Sequence, residues 1–153
     1  MFIKTFDEVI SKDLLKLVQA ELRWLHYNKQ ESIIGDGNVF FYSDTSNHPT
    51  HKILFDIFNE KFNLNFKLIR SYVNCYPPQI GGNLHHDDGN YTYLFFPDDI
   101  QNIEKLGDLQ FKDGPTIAYK TNRLVVFDAK IKHKANKNLT THMRHTIAWK
   151  TLI

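Results

Sequence analysis

The chain reads as a mainly antiparallel β protein braced by two helices near its amino terminus. Apolar residues recur at three- and four-residue steps up to about residue 63 and at two-residue steps beyond Phe66. Turn-forming pieces such as PPQIGG, DDGN, PDD and KDGP then punctuate the chain at short intervals. No helical stretch separates the strands so marked, so they pair mostly antiparallel and the helices serve as outside support.

Each element follows from its own residues. The spacing predicts a first helix over 11–29, with Ser11 as cap, Asp13 in the first turn and Leu15, Val18, Leu22 and Leu25 on one apolar stripe. Residues 31–48 are polar except for VFFY, which predicts a loop with one short strand and a lid over whatever site the chain carries. Pro49 stands where a first-turn proline is tolerated, and Ile53, Leu54, Ile57, Phe58 and Phe62 predict a second helix ending near Asn63. Over 66–76 the period becomes two, with Phe66, Leu68, Arg70, Tyr72, Asn74 and Tyr76 on one side and Lys67, Ile69, Ser71, Val73 and Cys75 on the other. Further strands are predicted over 91–96, 108–111, 116–119, 123–127 and 142–152.

The length of 153 residues suits one domain, 1–153, with helical support over 11–63 and a strand core over about 66–153. A formal charge of +2 gives no global pull toward a polyanion. No window approaches 18 apolar residues without a charge, and the opening MFIKTFDEVI carries acidic residues where a signal peptide needs an apolar run, so a cytoplasmic location is expected. Cys75 is the single cysteine, and its apolar and aromatic neighbours predict a buried thiol.

The most informative run is Gly81-Gly82-Asn83-Leu84-His85-His86-Asp87-Asp88-Gly89. At strand spacing, His85 and Asp87 share one face while His86 and Asp88 share the opposite one, so one pair or the other can hold a metal. His133 lies 46 residues beyond Asp87 and supplies a third ligand if its strand is a neighbour. Two imidazoles and one carboxylate form the facial triad of non-haem iron(II), which leaves positions open for a cosubstrate and dioxygen. Zinc accepts the same ligands.

From about Arg70 to Trp149 the chain resembles the iron(II)- and 2-oxoglutarate-dependent dioxygenase superfamily, most closely its prolyl 4-hydroxylase-like branch of small bacterial and phage members. The resemblance rests on Tyr72-Val-Asn-Cys-Tyr76, the glycine pair with His-x-Asp, Tyr91-Thr-Tyr-Leu-Phe-Phe96, Gly107-Asp-Leu-Gln-Phe111, Asn122-Arg-Leu-Val-Val-Phe-Asp128 leading to His133, and Arg144-His-Thr-Ile-Ala-Trp149, in that order. It implies a double-stranded β-helix, a cupin-like jelly roll, with iron(II) as metal and 2-oxoglutarate and dioxygen as cosubstrates. By the same resemblance the His-x-Asp pair and His133 are the metal ligands. Counting back to Tyr76 as in the small members selects His85 and Asp87, whereas counting as in the oxygen-sensing prolyl hydroxylases selects His86 and Asp88; the first is preferred because Asp88-Gly89 then reads as the turn leaving the ligand strand. Arg144, eleven residues beyond His133, resembles the arginine that pairs with the far carboxylate of 2-oxoglutarate, and Thr146 the hydroxyl beside it. Tyr76 and Asn74 resemble cosubstrate contacts, and Tyr93 is a further pocket residue. Two departures stand out: one glycine rather than two at Gly107-Asp108, and Thr146 with Lys150 where the DNA-alkylation-repair branch has asparagine and a second arginine.

The expected reaction is hydroxylation with release of succinate and carbon dioxide, on a peptide, an exposed protein segment or a small molecule; a peptidyl proline is the family's own example. The stretch Lys130-Ile-Lys-His-Lys-Ala-Asn-Lys137 surrounds His133 with four lysines that could steer an acidic substrate or could be a plain solvated loop. Alternatives are a jelly-roll binding module without catalysis, a cupin-like metal enzyme without 2-oxoglutarate, and a dioxygenase acting on nucleic acid or nucleotides. The last needs aromatic residues interleaved with the basic ones, a pattern the lysines here do not show. Nothing in the sequence sets an oligomeric state.

Overall fold

The computed structural model describes residues 2–31 and 38–153. In chain order its strands are β1 (Ile3–Asp7), β2 (Asn28–Glu31), β3 (Val39–Asp44), β4 (Lys67–Tyr76), β5 (Tyr91–Phe96), β6 (Leu109–Phe111), β7 (Thr116–Ile117), β8 (Arg123–Asp128), β9 (His133–Ala135) and β10 (Arg144–Leu152), with helices α1 (Lys12–Leu22) and α2 (Pro49–Lys61). A large sheet has the order β1-β8-β5-β10-β4-β3-β2 and a small one β7-β6-β9, antiparallel throughout. The two pack face to face, with Phe96 stacked on Tyr119 at 4.5 Å and Phe127 edge-on to Phe111 at 5.0 Å. This is the double-stranded β-helix topology, mainly β with supporting helices near the amino terminus.

Register sorts the large sheet into two faces. Opposed pairs Arg144↔Tyr76, Thr146↔Asn74, Ala148↔Tyr72 and Lys150↔Thr92 put these side chains, with Leu94 and Phe127, on the face toward the small sheet. The alternate residues Val73, Tyr93, Phe95, Leu124, Val126, Ile147 and Trp149 turn to the helices and meet Leu15, Val18, Leu22, Leu54, Phe55 and Phe58 in one buried cluster. Each fully buried large apolar side chain there contributes roughly 1.5–3 kcal/mol. The helices thus brace one face and leave the other free to build a site.

Several boundaries differ from expectation. Helix α1 stops at Leu22 rather than running to 29: Arg23 and Trp24 bond back in tight turns, and the Tyr27 hydroxyl donates to the Leu22 carbonyl at 2.9 Å. Leu25 still packs on the core, so the apolar stripe outlasts the helix. The short strand expected at VFFY within 31–48 is β3, which runs on to Asp44 and pairs with both β2 and β4; of the expected lid, residues 32–37 lie outside the described residues. Strand β1 was not anticipated; it pairs with β8, where Asp7 grips Arg123 at 2.7 Å. Strand β9, which begins at His133, is short and lies outside the predicted strand ranges, and residues 79–87 run beside it. Gln79 and Gly82 donate to the Asn138 and Ala135 carbonyls at 2.7 and 2.9 Å, and His85 and His133 exchange both backbone bonds at 3.0 and 2.8 Å. Cys75 is buried, as expected.

Gly107 makes the turn into β6 at φ +112°, and a Cβ there would lie 2.4 Å from the Asn136 carbonyl oxygen. Backbone strain and clash therefore coincide. Gly107→Ala is expected to cost about 2 kcal/mol or more of stability, read as a lower urea midpoint at unchanged m-value.

Candidate metal centre

The reciprocal backbone bridge between His85 and His133 brings their rings to 4.5 Å, and Asp87, two residues on, closes a triangle with them. Asp87 Oδ1 lies 3.5 Å from His85 Nε2 and Oδ2 lies 3.3 Å from His133 Nε2. Donors at about 2.1 Å from one ion and at right angles are about 3 Å apart, so a carboxylate this close to both Nε2 atoms suits a shared ion. Each ring places Nδ1 against a backbone carbonyl, Asn83 at 2.7 Å for His85 and Ile131 at 2.8 Å for His133. A carbonyl only accepts, so Nδ1 carries a proton and Nε2 of each ring, which faces Asp87, is the atom a metal would take. The Asp87 and His133 side chains are buried, while that of His85 is 49% exposed and stands at the mouth. Burial opposes charge on Asp87, but bonds to His133 and His85 and the charge of Lys150 outweigh it and hold the carboxyl well below its usual range. The anion is ready to receive a cation, which displaces whatever proton the Nε2 atoms share with it.

Behind this triangle lies a cavity on the same face. Its far end holds Arg144, whose Nε donates to the Gly107 carbonyl at 3.1 Å and whose Nη2 is buried without a partner. Rings of Tyr119, Tyr76 and Phe96 surround the guanidinium at 5.2, 5.7 and 6.0 Å, yet among the described residues no carboxylate pairs with it. A buried guanidinium with an open donor is built for an anion carried in by a ligand. Thr146 and Asn74 line the passage between Arg144 and the triangle, and Leu94, Leu109 and Phe127 give it an apolar side.

No family model matches the sequence, and no curated protein sequence matches it. Solved structures do. A prolyl-4-hydroxylase of Pseudomonas putida superposes with a TM-score of 0.72 at 16% identity, over 99% of this chain and 92% of that one. A prolyl hydroxylase from Trichoplax adhaerens, in complex with a peptide fragment of the hypoxia inducible factor oxygen degradation domain, gives 0.76 at 13%, over 97% and 82%. HygX from Streptomyces hygroscopicus, with nickel and 2-oxoglutarate bound, gives 0.75 at 11%, over 96% and 81%. The chain shares the double-stranded β-helix fold of these structures.

The residues expected at the site divide clearly. His85, Asp87 and His133 come together, and Arg144, Thr146, Tyr76 and Asn74 line one cavity with them. The other register does not form a site: His86 is exposed, and Asp88 turns away to Arg70 at 2.8 Å. Tyr93 is a correction. It lies on the helix face of β5, packed on Phe55 with its hydroxyl donating to Asn59, because it is one position out of phase with Thr92 and Leu94. Sequence reasoning missed Thr92 and Lys150 as partners of Asp87, with Thr92 Oγ1 donating to Oδ2 at 2.7 Å. Lys150 lies six positions beyond Arg144, so the alternation of β10 alone was signal enough.

Near the site but on the other face, His145 Nδ1 bonds Asp98 at 2.9 Å. Burial works against a charged ring, but the bonds to Asp98 and Cys75 prevail and raise its pKa to about 10. An unfolded histidine titrates near 6.5, so the folded state holds the proton more tightly and this contribution is full below about pH 6.5. Stability is expected to fall as pH rises from about 6.5 toward 10, and urea titrations should show that fall reduced in His145→Gln.

Proposed function

We propose that this protein is an iron(II)- and 2-oxoglutarate-dependent dioxygenase that hydroxylates an unactivated carbon of a peptide segment, with a peptidyl proline as the substrate to test first and residues 1–153 working as one domain. The observation that carries the reading is one cavity with a His-Asp-His triangle at its mouth and an unpartnered buried guanidinium at its far end. In this reading His85, Asp87 and His133 hold the metal on one face, and Arg144 with Thr146 receives the far carboxylate of 2-oxoglutarate. Iron(II), 2-oxoglutarate and dioxygen together supply the oxidation of a C–H bond, with succinate and carbon dioxide as coproducts.

The chain's own residues supply the rest. Arg144 sets how deep the diacid sits, since a planar guanidinium and a carboxylate meet in one plane. Tyr76 borders the same space, and Gly82 leaves room for it: a Cβ there would lie 3.2 Å from the Tyr76 hydroxyl. Leu94, Leu109 and Phe127 keep water from the reacting end, which limits oxidation without substrate. His85 stands at the exposed edge, so substrate approaches past it. A peptide substrate is favoured by the likeness to two prolyl hydroxylases, one of them solved with a peptide.

The test is aerobic turnover of iron-loaded protein with a pool of proline-containing peptides. Succinate release stimulated by peptide, with a one-oxygen mass increase on a prolyl residue, is the expected result. Metal and 2-oxoglutarate binding without stimulation by any peptide would overturn the substrate class and leave the dioxygenase reading standing.

A further inference from the structure

We propose that Lys150 is a positioning residue for Asp87: together with Thr92 it occupies Oδ2 of that carboxylate, so that Asp87 offers a metal Oδ1 alone. The inference rests on the functional reading above, because it takes His85, Asp87 and His133 as ligands.

Lys150 and Arg70 are register partners across β10 and β4. Tyr72 lies against both, with the lysine ammonium 5.4 Å and the guanidinium 5.0 Å from its ring centroid. The two cations therefore leave the sheet side by side, and two successive acidic residues of the ligand loop meet them in the same order. Lys150 takes Asp87, and Arg70 takes Asp88 at 2.8 Å. The Arg70 pair is solvent-exposed and contributes little by itself. The Lys150 pair is different. Lys150 is 1% exposed, and lysine is almost never buried to that degree without a partner. Among the described residues Asp87 is its ion-pair partner, and its ammonium also donates to Thr92 Oγ1 at 3.2 Å. Thr92 Oγ1 in turn donates a hydrogen bond to Asp87 Oδ2 at 2.7 Å. Oδ2 thus has two donors on the protein side, and His133 Nε2 stands 3.3 Å from it on the metal side. Among the described residues Oδ1 faces His85 alone, whose Nε2 a metal would take.

The consequence concerns open positions. A carboxylate bound through one oxygen uses one place on the ion, and one bound through both uses two. A three-ligand facial site serves a bidentate cosubstrate and dioxygen only if three places stay open. By holding Oδ2, Lys150 and Thr92 keep the aspartate from spreading into the third. Arg70 on Asp88 and Tyr72 under both cations keep the clamp in register.

Cobalt(II) is the probe, since its visible spectrum reports coordination number. Apoprotein of wild type, Lys150→Met, Lys150→Arg and Thr92→Val is loaded with cobalt(II) anaerobically and then titrated with 2-oxoglutarate. Lys150→Met is expected to change the cobalt spectrum before any 2-oxoglutarate is added and to weaken 2-oxoglutarate binding by about 10-fold or more, the scale on which residues behind a metal ligand act. Lys150→Arg should restore both in part, and Thr92→Val should shift the spectrum the same way by less. Wild-type cobalt spectra in Lys150→Met and Thr92→Val overturn the proposal, even if stability drops, because Lys150 would then merely hold the sheet. Should Lys150→Met not fold, Lys150→Arg and Thr92→Val decide by the same spectra. Failure of wild type to take up cobalt(II) would instead strike the metal site itself, and this inference with it.

Discussion

Arg144→Leu is expected to abolish productive 2-oxoglutarate binding while leaving the metal in place. Truncating one partner of a buried charge pair costs about 2–5 kcal/mol, which is a loss of about thirtyfold to several thousandfold in affinity. The effect should fall on the ligand and spare the fold. In the free protein Arg144 is 1% exposed, its Nη2 is unpartnered and no carboxylate among the described residues pairs with it. Exchanging a buried charge that has no counter-charge among the described residues for a shorter apolar side chain is therefore expected to leave stability unchanged or higher. Calorimetric titration of manganese(II)-loaded protein with 2-oxoglutarate, beside a thermal melt of the apoprotein, checks both halves. A large loss of stability would show that the guanidinium holds the fold together instead of awaiting a ligand.

The second large effect is expected at the triangle. His133→Ala removes a buried Nε2 donor while the backbone bridge to His85 can persist. Metal affinity should fall by more than the about 10–100-fold that changes behind a ligand produce. His86→Ala should bind metal as wild type does, since that ring is exposed and outside the cluster. A ligand at 100 times its Kd stabilises the folded state by about 2.7 kcal/mol, so the metal-dependent rise in melting temperature should persist in His86→Ala and disappear in His133→Ala. Equal loss in both variants would mean that the loop as a whole, and not the triangle, carries the metal.

How far the sequence reached depended on whether a feature was local. The alternation of β4 and β10 put Tyr76, Asn74, Arg144 and Thr146 on one face, and the structure keeps them there. The choice within HHDD was not local. Four consecutive ligand types alternate equally well either way, and the tie is broken by pairing across the fold: His85 bridges to His133, and Arg70 takes Asp88. Tyr93 was assigned by residue type where phase decides, since its neighbours Thr92 and Leu94 hold the cavity face. Strand β9 carries no apolar pattern around His133; it forms because β6 and residues 79–87 flank it and satisfy its backbone. The early end of α1 was equally hidden, because Leu25 continues the apolar period after Tyr27 has capped the Leu22 carbonyl.

The central claim is that one ion and one diacid meet in this cavity, the ion on His85, Asp87 and His133 and the diacid on Arg144. Anaerobic addition of iron(II) and then 2-oxoglutarate to the apoprotein tests it most directly, through the weak visible charge-transfer band of an iron-bound 2-oxo acid. Wild type should develop the band, His133→Ala should lose it, and Arg144→Leu should need far more 2-oxoglutarate to reach it. Folded, iron-loaded wild-type protein that shows no band at saturating 2-oxoglutarate would contradict the account.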